Sequence, residues 1–166
     1  RRQRQMCIRD SLYAPAAGYL LVLAIHFLLD KAGLFQWIKH ATNAPAEQSI
    51  VSVLRHSSDI PLITVICFSA AIAAPLVEEL IFRGYLYPIM KKYTGVWFAL
   101  ITTSLLFGII HVSLVPFIPL AIFGAVLVLL YEYTGSIWTP IIAHCIFNTA
   151  TLINILYPGI LLPYGT

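Results

Sequence analysis

Charged residues are scarce in this 166-residue chain, and the scarcity limits the kinds of protein it can be. Lysine, arginine, aspartate and glutamate make up 10% of the residues, whereas they make up about 25% of an average soluble domain. Hydrophobic residues make up 60% of the chain, which leaves too little polar surface to cover a globule in water. This composition excludes a water-soluble enzyme and a disordered tail, and it predicts a protein whose main solvent is lipid.

Cysteine and clustered basic charge are also scarce. Three cysteines cannot all pair with one another, which argues against a disulfide-stapled secreted module. The net charge of +3 is spread along the chain without the basic stripe of a nucleic-acid binder, so we expect no nucleic-acid partner. Because the chain begins with Arg1 rather than methionine, we also expect that an upstream segment has been cropped.

Five apolar runs dominate the sequence. They cover residues 12–29, 60–90, 96–115, the stretch from the prolines at 116 and 119 to about 131, and 137–157. We therefore predict an all-α, polytopic membrane helix bundle of about five spanning helices, with an interfacial helical segment between Asp30 and Asp59. The whole of residues 1–166 is expected to form one domain with a catalytic core at 60–157, and its short loops favour a prokaryotic plasma membrane.

The basic residues predict the orientation of these spans. A cytoplasmic N-terminus places six basic residues on the inner side and three on the outer side, in agreement with the positive-inside rule. The inner six are Arg1, Arg2, Arg4, Arg9, Lys91 and Lys92, and the outer three are Lys31, Lys39 and Arg55.

Three charged residues interrupt the second apolar run. A charged side chain at the centre of a spanning helix costs about 2.5–3.5 kcal/mol on insertion scales, so Glu78, Glu79 and Arg83 need partners in the bundle interior. Glu79 and Arg83 are spaced i, i+4 with the acid first, which favours a helical ion pair. Glu78 is rotated by about 100° from Glu79 and shares that partner poorly, so its carboxylate is available for chemistry.

Further polar residues occur on the later apolar runs. At a rise of 1.5 Å per residue, Glu78, His111 and Asn148 lie about 18–22 Å from the inner ends of their helices, and His144 lies at about 12 Å. A carboxylate beside an imidazole can activate a water, and a second imidazole and an amide can stabilise an oxyanion, as peptide hydrolysis requires. Alternatively, Glu78, His111 and His144 could bind zinc with one position open, and the sequence leaves this choice undecided.

Three motifs in this arrangement resemble the signatures of the CPBP intramembrane protease family, which comprises CAAX proteases and bacteriocin-processing enzymes and is also called the Abi family. They are Glu78-Glu79-x-x-x-Arg83-Gly84, Phe107-x-x-x-His111 and His144-x-x-x-Asn148. The resemblance implies that Glu78 is the general base and that His111 positions the water. It also implies that His144 and Asn148 stabilise the oxyanion while Glu79 and Arg83 support the site, in a glutamate-type or a zinc-dependent enzyme.

Three functions remain open at this point. The first is an intramembrane endopeptidase that acts on a peptide or protein substrate, which could itself be membrane-associated or lipidated. The second is a proton-coupled carrier, because intramembrane Glu and His also form proton relays. The third is a non-catalytic membrane scaffold or immunity protein. Loss of cleavage in a Glu78→Gln variant distinguishes the first from the others.

Overall fold

The computed structural model describes residues 9–42, 49–111 and 114–158, and within these ranges it contains helices and turns but no strand. The basic residues Arg1, Arg2 and Arg4 lie outside the described ranges. The helices, numbered here along the chain, are α1 Arg9–Lys31, α2 Leu34–Thr42, α3 Ser49–His56, α4 Ile60–Thr94, α5 Val96–Ile109, α6 Leu114–Thr134 and α7 Trp138–Leu156.

Four of these helices, α1, α4, α6 and α7, are long and apolar enough to cross a membrane. The predicted helical membrane bundle is therefore confirmed, and α2 and α3 show that the segment between Asp30 and Asp59 contains helix. The third predicted span is different, because α5 has only 14 residues and ends at Ile109 rather than near 115. Its end is a tightened turn in which the N–H of His111 reaches back to the carbonyl of Gly108 (3.4 Å).

Helix α6 lies at the centre of the bundle. It packs along α5, while α1 packs against both α6 and α7. The approach of α5 to α6 depends on Gly124, where an added Cβ would lie 3.2 Å from the Cα of Ser104 and 3.3 Å from the Cβ of Phe107. The main buried cluster draws on five helices and consists of Val22, Phe82, Phe107, Phe123, Val126, Leu127, Leu130 and Ala143.

Helix α4 is continuous over 35 residues although it contains two interior prolines besides Pro61 in its first turn. A proline inside an α-helix donates no N–H, and its ring clashes with the carbonyl four residues earlier. In α4, each interior proline follows a wider π-helical segment, Ser69–Ala73 before Pro75 and Leu80–Leu86 before Pro88. In a π segment each backbone N–H bonds to the carbonyl five residues back, so the turn is wider than in an α-helix. The wider turns accommodate both interior prolines without a break in the helix.

Candidate active site

A buried ion pair at Glu79 and Arg83 forms the centre of the site. Both side chains are at most 1% exposed, and Arg83 Nη1 donates to Glu79 Oε1 at 2.8 Å, as the i, i+4 spacing predicts. The same carboxylate oxygen accepts a second bond, at 2.9 Å, from Nδ1 of the buried His144. Arg83 Nη2 donates to the backbone carbonyl of Gly124 at 2.7 Å. One ion pair therefore connects α4 to both α6 and α7.

Glu78 lies beside this group and differs from Glu79 in its environment. Its side chain is 24% exposed, and its Oε2 is 3.8 Å from Nε2 of His144, which is beyond hydrogen-bond distance. Oε2 is nevertheless buried, and it has no hydrogen-bond partner among the described residues. Because Nδ1 of His144 donates to Glu79, the neutral ring presents an unprotonated Nε2 toward Glu78.

The ring of Phe107 connects His111 to the rest of the site. Its Nδ1 donates to the carbonyl of Phe107 at 2.7 Å, so its neutral form also presents Nε2 as an acceptor. The Phe107 ring is fully buried, with its centroid 5.0 Å from the His111 ring and 5.6 Å from the His144 ring. The two predicted imidazoles therefore contact one ring, and the turn after α5 carries His111 to that position.

Asn148 lies one turn beyond His144 on α7 and bonds to the backbone of α4. Its Nδ2 donates to the carbonyl of Ala70 at 2.8 Å. The structure therefore joins Glu79, Arg83 and His144 through hydrogen bonds, and it places the Oε2 of Glu78 3.8 Å from Nε2 of His144. Asn148 joins the same two helices at a different level, two turns before Glu78.

Several groups at the site were not predicted from the sequence. The centroid of the Phe123 ring lies 5.2 Å from that of His144. Together with Phe107 of the predicted motif, whose centroid is 5.0 Å from the guanidinium carbon of Arg83, this ring encloses the buried charges. The carbonyls of Gly124 and Ala70 accept bonds from site residues. No sequence signal marks Gly124 or Phe123 for this purpose, but Pro75, five residues after Ala70, marks a carbonyl that lacks a helical donor.

The proposed zinc ligands do not form a metal site in this arrangement. Across residues 9–42, 49–111 and 114–158, no three His, Cys, Asp or Glu side chains are close enough together to hold a metal ion. The carboxylate of Glu79 is occupied by Arg83 and His144. Among the described residues, Glu78, His111 and His144 are therefore not grouped closely enough to hold a metal ion together.

Comparisons with known proteins match this region. A family model described as "Type II CAAX prenyl endopeptidase Rce1-like" matches residues 60–150, more than half of the chain and all six predicted site residues. The curated "Putative membrane peptidase YdiL" of Bacillus subtilis (strain 168) is 30% identical over 150 residues, 89% of this chain and 58% of that protein. The chain thus spans little more than half the length of this relative. No solved structure matches. Together with the long apolar helices, these matches identify an integral membrane protein.

Proposed function

Because the chain belongs to the type II CAAX prenyl endopeptidase Rce1-like family, we propose that it is an intramembrane endopeptidase in which Glu78 activates the attacking water. The main support is the contrast between two adjacent carboxylates. Glu79 is fully buried and bonded to Arg83 and His144, whereas Glu78 is partly exposed and presents an unbonded oxygen toward Nε2 of His144. A general base must reach the water that it deprotonates, and Glu78 combines partial exposure with an oxygen that no other residue of the described ranges occupies.

The reaction consumes one water for each peptide bond. Glu78 takes a proton from the water as its oxygen attacks the carbonyl carbon of the scissile bond, which gives a tetrahedral oxyanion. The carbon–nitrogen bond then breaks, and the proton held by Glu78 passes to the departing amine. The products are a carboxylic acid and an amine, and no covalent bond to the enzyme forms at any stage.

The other site residues position the water and stabilise the oxyanion in this scheme. His111 accepts a hydrogen bond from the water through Nε2, since its Nδ1 is occupied by the Phe107 carbonyl. His144 can donate to an oxyanion from Nε2 only as an imidazolium, and the carboxylate of Glu79 balances that charge. Asn148 donates its second amide N–H, because Ala70 accepts only one of the two.

The substrate in this proposal is a peptide or protein that reaches the site from the bilayer. Glu78 lies in the middle of a helix whose outer surface is apolar, with Leu76, Val77, Leu80 and Ile81 all exposed. A hydrophobic substrate segment could therefore lie against α4 beside the catalytic carboxylate. We place the N-terminus of this segment in the cytoplasm, as the distribution of basic residues predicts.

A Glu78→Gln variant tests the proposal. The amide keeps the shape of the side chain but cannot accept the proton, so cleavage of a quenched-fluorescent peptide library by protein in liposomes should fall about 10²–10⁴-fold. Glu132→Gln is the matched control, because Glu132 bonds to Lys91 outside the site, and it should retain cleavage. Full activity of Glu78→Gln would rule out Glu78 as the base.

A further inference from the structure

The carbonyl of Ala70 lacks a helical donor, for a reason that lies in the sequence. The N–H of Ala74 bonds to the carbonyl of Ser69, five residues back, as the π segment requires. By the same pattern, the Ala70 carbonyl would accept a bond from the backbone N–H of residue 75. Residue 75 is a proline, which has no backbone N–H, so this bond cannot form. A carbonyl without a donor inside a protein or a bilayer costs about 1–3 kcal/mol or more, so the half-buried Ala70 carbonyl favours a donor from a neighbouring helix.

Asn148 supplies that donor from α7. The Nδ2 atom lies 2.8 Å from the Ala70 carbonyl oxygen, and a carbonyl only accepts, so the orientation of the amide group is determined. One N–H of Asn148 is thereby fixed on α4, and the direction of its second N–H is fixed with it. Asn148 is four residues after His144, so this bond also sets the position of α7 beside Glu78.

We propose that Pro75 is a positioning residue of the active site, which acts through the Ala70 carbonyl to orient the amide of Asn148 for the oxyanion. This inference rests on the endopeptidase function proposed above. Proline at this position prevents the carbonyl from being satisfied inside α4, and the carbonyl remains available to hold Asn148. Pro75 itself is buried and touches no reacting atom in this scheme.

A second proline in α4 provides the comparison. Pro88 also follows a π segment, and the N–H of Tyr87 before it bonds to the Phe82 carbonyl five residues back. The backbone arrangement is therefore the same at both prolines, but Asn148 reaches only the first. Replacing either proline by alanine restores an N–H to the helix, and only the change at residue 75 should act on Asn148.

A double-mutant cycle tests the proposal on the quenched-fluorescent peptide library. Asn148→Ala should lower kcat about 10²–10³-fold through loss of an oxyanion donor. Pro75→Ala should lower kcat about 10–100-fold with KM unchanged, because the amide is still present but misplaced. The double variant should be as slow as Asn148→Ala alone, neither slower nor faster, since Pro75 acts only through Asn148. Pro88→Ala should instead multiply its effect with that of Asn148→Ala.

Two outcomes of this cycle would overturn the proposal. Effects of Pro75→Ala and Asn148→Ala that multiply would show that Pro75 acts independently of the amide. A double variant faster than Asn148→Ala would show that Asn148 serves only to satisfy the Ala70 carbonyl. In that case the backbone N–H restored by Pro75→Ala bonds to the carbonyl in place of the Asn148 amide. In either case the proposed orientation for the oxyanion is wrong.

A measurement that needs no activity separates this proposal from the peptidase function itself. In Glu78→Gln protein labelled with ¹⁵N-asparagine, the side-chain amide of Asn148 should exchange its protons slowly, and Pro75→Ala should speed the exchange at least about tenfold. Unchanged exchange would refute the link between Pro75 and Asn148 even if cleavage depends on Glu78. Cleavage that survives Glu78→Gln would refute the peptidase mechanism while leaving this link intact.

Discussion

Replacing Arg83 by methionine should destabilise the protein strongly, because it leaves the carboxylate of Glu79 buried without its cation. The guanidinium makes two charged hydrogen bonds, to Glu79 at 2.8 Å and to the Gly124 carbonyl at 2.7 Å. Each such bond contributes about 1.5–3 kcal/mol. Their sum agrees with the loss of about 3–5 kcal/mol expected when one partner of a buried pair is removed. We therefore expect Arg83→Met to lower the free energy of unfolding by about 3–5 kcal/mol.

Unfolding by SDS in mixed micelles, followed by tryptophan fluorescence, measures this loss. Lys91→Met is the matched control, because Lys91 bonds to Glu132 at 2.7 Å but the two side chains are 39% and 27% exposed. That half-exposed pair should contribute about 0–1 kcal/mol. The double variant Glu79→Gln/Arg83→Met buries no unpaired charge and should be about 1–3 kcal/mol more stable than Arg83→Met. A cost for Arg83→Met no larger than for Lys91→Met would refute the reasoning.

Three further predictions address packing and metal dependence. Phe107→Ala should lower the free energy of unfolding by about 3–5 kcal/mol in the same SDS titration, since the ring is fully buried against both imidazoles; a loss below 1 kcal/mol would contradict this packing. Gly124→Ala should cost about 1–3 kcal/mol, because its Cβ meets Ser104 and Phe107, and an unchanged titration would refute the close approach. Chelator-treated protein shown to be zinc-free by elemental analysis should keep its cleavage activity, whereas activity restored only by added zinc would contradict the ligand geometry.

The sequence predicts the features of this protein that depend on composition and local spacing. Apolar runs of sufficient length identify the long helices, and the i, i+4 spacing identifies the Glu79–Arg83 pair. The same spacing argument separates Glu78 from Glu79, and the structure gives these two carboxylates different environments. These predictions succeed because a helix fixes the relative direction of side chains within two turns.

Contacts between helices could not be predicted in the same way. The number of residues from the inner end of α7 predicts the depth of His144 in the bundle. It does not reveal that Nδ1 of His144 bonds to Glu79, because the rotation of α7 about its axis depends on tertiary packing. The sequence also does not predict that α5 ends at Ile109, because the apolar run continues past this residue although the helix has already ended. The partner of Asn148 is a main-chain carbonyl, and main-chain acceptors leave no residue pattern unless a proline removes their donor.

The short length of α5 has a consequence for the supply of water. Fourteen residues rise about 21 Å, roughly two-thirds of a hydrocarbon layer about 30 Å thick. A helix that starts beside Lys91 and Lys92 near the headgroups therefore ends within the lipid layer, close to His111. Carbonyls at such an end must meet protein or water, and non-helical backbone at this depth is tolerated only in those surroundings. The end of α5 therefore requires protein or water around its carbonyls, beside the histidine that the proposed reaction uses to position a water.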